Sequence, residues 1–185
     1  MALDYSQGCV NFRDVGECLN LLSEQALFPT QRILRGGKLE FVTSAEQIGN
    51  PGTIINLRKG SDPKEKLFGA DYRHFPIAND YEKYHTTDPM VRRWLNQIFV
   101  CISTSVERFP ILFHCTSGKD RTGIVVAALL ISLEIDRELV VQEYLFSEGE
   151  VARSWIENAL DGIDDPAAYF QGVDLNRIRQ KLLGN

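Results

Sequence analysis

In the stretch "FHCTSGKDRTGI", residues 113–124, five residues separate Cys115 from Arg121, with Gly118 between them and Gly123 just beyond. A thiol and a guanidinium at this spacing can converge on one small anion. A free thiol titrates at ~8.5, but a helix N-terminus and a nearby cation bring it down to about 3.5–7.5, where a thiolate nucleophile stands ready at neutral pH. Arg121 supplies that cation. Its planar fork also suits two oxygens of a phosphate, which sets the group up for in-line attack and stabilises charge on its equatorial oxygens. Thr116, Ser117, Gly118, Lys119, Thr122 and Gly123 are the candidate phosphate-binding residues, and the Thr122 hydroxyl is placed to hydrogen-bond the sulfur.

Such chemistry needs a scaffold that presents the loop. "ILFH", 111–114, reads as a short buried strand, and the apolar run from Ile124 as a helix buried on nearly every side. Residues 115–121 then form the turn from a strand's C-terminal end into a helix N-terminus. Amides and helix dipole converge there, and α/β folds bind ligands there. "RIL" around Ile33, "TIINLR" at 53–58 and "YRHFPI" at 72–77 read as further strands, and "VTSAEQI" as a short helix opened by a capping box of Ser44 and Gln47. Val91, Trp94, Leu95, Ile98, Ile102 and Val106 recur at helical spacing, predicting an amphipathic helix from Pro89 to about Arg108. Further helices are expected over 137–147, 150–160 and 166–183. The alternation predicts an α/β protein with a central, mostly parallel sheet flanked by helices.

Composition narrows the function. The chain has 185 residues, 44% hydrophobic and 24% charged, which suits one domain over 1–185. A net charge of -5 argues against a nucleic-acid partner. Cys9, Cys18, Cys101 and Cys115 have no C-x-x-C spacing and form no zinc pattern with the three histidines, so neither metal nor cofactor is expected. The N-terminal residues lack a signal-peptide pattern, and the longest apolar run is half of the ~20 residues that span a bilayer. A cytoplasmic protein without a transmembrane segment is expected.

The C-x5-R pattern in "HCTSGKDRTG" resembles the signature loop of the cysteine-dependent protein tyrosine phosphatase superfamily. "NFRDVGE" at 11–17, "ILRGGKL" at 33–39, "IINLR" at 54–58 and "EYLFS" at 143–147 are similar to its microbial branch of tyrosine, dual-specificity and phosphoinositide phosphatases. The resemblance implies a protein tyrosine phosphatase-like fold and a two-step displacement, in which the cysteine takes the phosphoryl group and water releases it. It also implies a general acid. Asp80 in "HFPIAND" resembles the general-acid loop of the dual-specificity phosphatases, and Asp120 stands where some lipid-directed relatives carry an aspartate. Asp80 is preferred, with Asp120 modulating or substituting, and Asp62 and Asp88 are weaker options. Lys119 resembles a lysine of relatives that act on phosphoinositides, although it can equally offset Asp120. Arg13 and Asp14 form either a surface pair or, by the resemblance, a buried pair bracing the loop, while His114 is expected to be a core residue that orients it.

The expected substrates are a protein carrying phosphotyrosine, with phosphoserine and phosphothreonine as further cases, or a phosphoinositide. Two other classes compete: a pseudophosphatase that binds phosphate without turnover, and a rhodanese-like or arsenate-reducing loop cysteine. Cys9 or Cys18, if near Cys115, could pair with it in a disulfide.

Overall fold

The computed structural model describes residues 3–78 and 82–184. Among the described residues five short strands form one sheet: β1 (Arg13–Asp14), β2 (Ile33–Gly36), β3 (Thr53–Asn56), β4 (Asp71–His74) and β5 (Ile111–His114), in the order β1-β2-β5-β3-β4. Only β1 runs antiparallel to its neighbour. The β-branched and leucine-rich central strands are buried on both faces, as a parallel sheet requires. Side chains alternate across it. Leu34, Ile54 and Leu112 meet Leu39, Val42 and Ile48 on one face, and Ile33, Ile55, Ile111 and Phe113 join the larger core on the other.

The register positions the loop. Gly36 and Asn56 both pair with His114, so β2, β5 and β3 end level and Cys115 leaves from the end of the central strand. The chain turns at once into a helix, the third of seven among the described residues: α1 (Val15–Ser23), α2 (Pro89–Thr104), α3 (Asp120–Ser132), α4 (Arg137–Leu145), α5 (Arg153–Asp161), α6 (Pro166–Tyr169) and α7 (Leu175–Leu183). From Thr122 to Leu130 α3 is buried throughout, against β5, α4 and α5. A mixed α/β fold with a mostly parallel sheet is therefore present as expected.

Several elements differ from the sequence reading. The expected helix over "VTSAEQI" is a single 3-10 turn, Glu46–Ile48, because Gln47 reaches back to the Thr43 amide at 2.8 Å rather than closing a box on Ser44. The apolar spacing over 166–183 suggests one helix, but Gly172 at φ 73° and the capping aspartate Asp174 divide it into α6 and α7. The amphipathic helix ends at Thr104, short of Arg108, and β4 ends before Phe75. Among the described residues no helix is long and apolar enough to cross a membrane.

Candidate phosphate-binding site

Cys115 is 1% exposed at the base of the turn, its amide reaching the Gly36 carbonyl at 3.4 Å. The next three carbonyls are held by donors from two other segments, one before β1 and one running from β2 into the residues after it. Lys38 N–H donates to Thr116 O at 3.0 Å, Asn11 Nδ2 to Ser117 O at 2.8 Å, and Arg35 Nη2 to Gly118 O at 2.9 Å. In a planar trans peptide the following N–H points opposite to the carbonyl. The amides of Ser117, Gly118 and Lys119 are thereby turned to the inner side of the loop, a concave set of donors suited to an oxyanion. Gly118 makes this possible: its φ is 71°, and a Cβ there would lie 2.6 Å from the Gly36 carbonyl carbon.

Arg121 closes the turn. Its Nη2 donates to Thr116 Oγ1 at 3.1 Å and its Nη1 to the Leu57 carbonyl at 3.2 Å, just beyond β3. Because α3 begins at Asp120, Arg121 and Thr122 lie in the first helical turn, and the loop sits at a helix N-terminus as expected.

The loop's support is a buried ionic network. Arg35 shares a face with Ile33, so its side chain enters the helical layer of the fold, where it is fully buried. There its Nη1 meets Glu143 Oε2 at 2.5 Å, while Arg13 Nε meets Glu143 Oε1 at 2.8 Å. Ser147 Oγ accepts from both arginines. Burial lowers the affinity of Arg35 for its proton, and Glu143 opposes that shift. The expected Arg13–Asp14 pair is therefore corrected. Arg13 does brace the loop, but through Glu143, whereas Asp14 caps α1 by accepting from the Gly16 and Glu17 amides. Sequence reasoning missed Asn11, Arg35, Glu143 and Ser147. An arginine in phase with core isoleucine, and a glutamate between Val140, Val141 and Tyr144, were the available signals.

On one side the loop borders a cleft of about 820 Å³, lined by Lys119, Asp120 and Arg121, by Glu82 to His85, and by Ser154, Trp155 and Asn158. Lys119 Nζ donates to Asp120 Oδ1 at 3.1 Å and to the Glu150 carbonyl at 2.7 Å, and lies over the Trp155 ring. Its ammonium is thus built into the wall of the cleft. Tyr84 Oη also donates to Asp120 Oδ1, at 2.8 Å.

The remaining expected residues fall as follows. His114 is fully buried; its Nε2 approaches Asp62 Oδ2 at 2.8 Å without the alignment of a hydrogen bond. Asp62, nearly buried beside His114, Arg58 and Tyr72, is spoken for, and Asp88 caps α2, so neither is placed as an acid. Asp80 lies outside the described residues. The Thr122 hydroxyl is buried with no hydrogen-bond partner among the described residues, so the expected bond to sulfur is not formed. All four cysteines are free. Cys9 packs against Gly36 beside the loop, and burial pushes its thiol up to about 12. Cys18 lies by Arg13 and Glu143, and Cys101 faces Ser105.

A buried cysteine at the end of a central parallel strand, followed by a turn whose carbonyls are tied back and whose arginine bonds to Thr116, makes a loop suited to an oxyanion on an α/β scaffold. Residues 5–180 match the tyrosine phosphatase family, and the chain belongs to that family. It is 32% identical over 91 residues to the triple specificity protein phosphatase PtpB of Mycobacterium tuberculosis, a match covering 49% of this chain and 28% of that protein. The fold is similar to two solved structures, each 18% identical. One is the core catalytic domain of the PP-IP phosphatase SIW14 from S. cerevisiae, with a TM-score of 0.50 over 80% of this chain and 84% of that one. The other is a Siw14 catalytic core, with a TM-score of 0.52 over 77% and 90%.

Proposed function

We propose that the chain is a metal-independent protein tyrosine and dual-specificity phosphatase that works through a cysteinyl-phosphate intermediate. The observation that carries this reading is the loop itself: a buried Cys115, three consecutive carbonyls tied back by Lys38, Asn11 and Arg35, and Arg121 bonded to Thr116 at the other end of the turn. In the first step the Cys115 thiolate attacks phosphorus, the S–P bond forms, and the bond to the leaving oxygen breaks. An aspartic acid gives its proton to that oxygen. In the second step the same group, now a carboxylate, takes a proton from water as it attacks phosphorus, and the S–P bond breaks. The amides and Arg121 hold the equatorial oxygens throughout.

We assign the proton to Asp120, which stands next to Arg121 in the loop and faces the cleft where a leaving group would lie. Asp80 is the rival candidate. Turnover of phenyl phosphate separates them: Asp120→Asn lowers kcat/KM by about 10²-fold, while Asp80→Asn changes it far less. The reverse result gives the role to Asp80. A wild type that binds phosphate yet releases none from aryl phosphates sinks the enzyme reading and leaves a phosphate-binding module.

The placement of Lys119 favours a protein substrate over a multiply phosphorylated inositol, because its charge is engaged by Asp120 and the Glu150 carbonyl. A phosphotyrosine peptide is expected to give the higher kcat/KM than a soluble phosphoinositide.

The unpartnered Thr122 hydroxyl yields a prediction of opposite signs. Burying it costs the fold about 1 kcal/mol, and donation to a charged sulfur recovers about 1.5 kcal/mol or more once the thiolate forms. Thr122→Val therefore raises the urea midpoint while lowering kcat by about tenfold. A fall in both would show a hydroxyl needed for folding instead.

A further inference from the structure

We propose that Tyr84 is a positioning residue that aims the Asp120 carboxyl at the leaving group, acting through a hydrogen-bonded chain that begins at Tyr144. This rests on the reading of Asp120 as the proton donor.

The geometry runs from the core outward. Tyr144, on α4, is fully buried, and its ring packs so closely on α3 that a Cβ on Gly123 would lie 2.8 Å from it. The glycine after the arginine and threonine thus gives the tyrosine its seat. The two tyrosine hydroxyls are 2.6 Å apart, and their rings meet edge to face. Tyr84 has one hydroxyl proton and gives it to Asp120, so Tyr144 is the donor between the two tyrosines. Burial raises both phenols, Tyr144 to about 12, so each keeps its proton at neutral pH. The Tyr84 segment is fixed as well: its carbonyl accepts from Asn158 Nδ2 at 2.9 Å, and its ring packs on Trp155.

Tyr84 and Lys119 both donate to Oδ1 of Asp120. A proton on the carboxyl is therefore carried by Oδ2, and the carboxyl plane is set by groups anchored to α4 and α5. Asp120 is otherwise a partly exposed side chain on the cleft rim, 36% accessible, where rotation would spread the proton over many directions.

Proton donation matters most for poor leaving groups, and this separates positioning from a merely structural role. The test compares kcat/KM for phenyl phosphate and dinitrophenyl phosphate in wild type, Tyr84→Phe, Tyr144→Phe and Asp120→Asn, with circular dichroism as the folding check. Tyr84→Phe keeps the ring and its packing. It is expected to lose about tenfold on phenyl phosphate, a fraction of the roughly 10²-fold lost by Asp120→Asn, and to change little on dinitrophenyl phosphate. Tyr144→Phe should show the same leaving-group dependence to a smaller degree. Equal losses on both substrates in Tyr84→Phe would overturn the proposal, as would no loss on either. If Asp120→Asn itself shows no leaving-group dependence, the assignment of the acid fails and the role of Tyr84 falls with it. If Asp120→Asn shows the dependence and Tyr84→Phe does not, only the positioning role is overturned.

Discussion

Cys115→Ser is expected to lower phosphate release from p-nitrophenyl phosphate by about 10⁵-fold, while the loop still binds inorganic phosphate. A serine hydroxyl is a far weaker nucleophile than a thiolate, so the variant has no comparable group to displace the leaving oxygen. The oxyanion cradle does not depend on the sulfur. Its donors are backbone amides oriented by Lys38, Asn11 and Arg35, none of which touches the thiol through these bonds. Turnover and binding should therefore come apart, which isothermal titration of the variant with phosphate would show. Acid quenching of the wild type with labelled substrate should in turn trap phosphate on Cys115. If Cys115→Ser retained turnover, another nucleophile would have to be sought. Cys9 is a poor choice, since its buried thiol keeps its proton at neutral pH.

The candidate loop was legible because it is local. Strand β5, its loop and the start of α3 occupy one continuous stretch, so the strand, the turn at Gly118 and the helix start could all be placed from neighbouring residues. Strand β5 runs over Ile111–His114, as its four apolar and histidine residues suggest. What surrounds the loop was not legible, because its contacts span the chain. Arg35 meets Glu143 across 108 positions, Asn11 meets Ser117 across 106, and Tyr84 meets Asp120 across 36. No periodicity links such residues. A charged side chain in phase with a buried strand can be noticed, but its counter-charge cannot be found without the fold. Misjudged boundaries have equally local causes. At 166–183 the apolar spacing continues while Gly172 and Asp174 break the backbone, so the pattern persists through a turn. Asp14 and Asp88 look like candidates for chemistry by type alone, yet both satisfy helix amides, the commonest use of an aspartate before a helix.

Glu143→Ala is expected to destabilise the protein by about 3–5 kcal/mol, because it leaves two arginines facing one another with no counter-charge, one of them fully buried. A typical domain holds only about 5–15 kcal/mol in total, so the variant should lose a large share of its stability in urea. This does not mean that the ion pair is a strong net stabiliser. Taking Arg35 and Glu143 out of water is itself costly, and a well-packed apolar pair of similar volume often serves the fold as well. The double variant Arg35→Met, Glu143→Leu should accordingly recover most of the stability lost by Glu143→Ala, with Arg13 left at an edge where its side chain is 14% exposed and water can reach it. Activity should not recover. In the double variant Gly118 O has lost its donor, and the peptide that aims the Lys119 amide into the loop is free to rotate. A fold restored to near wild-type stability, with oxyanion affinity and kcat/KM still depressed, would show that the buried arginine is kept for the shape of the loop. Recovery of both would assign the network to stability alone and leave the loop's shape to Asn11, Lys38 and Gly118.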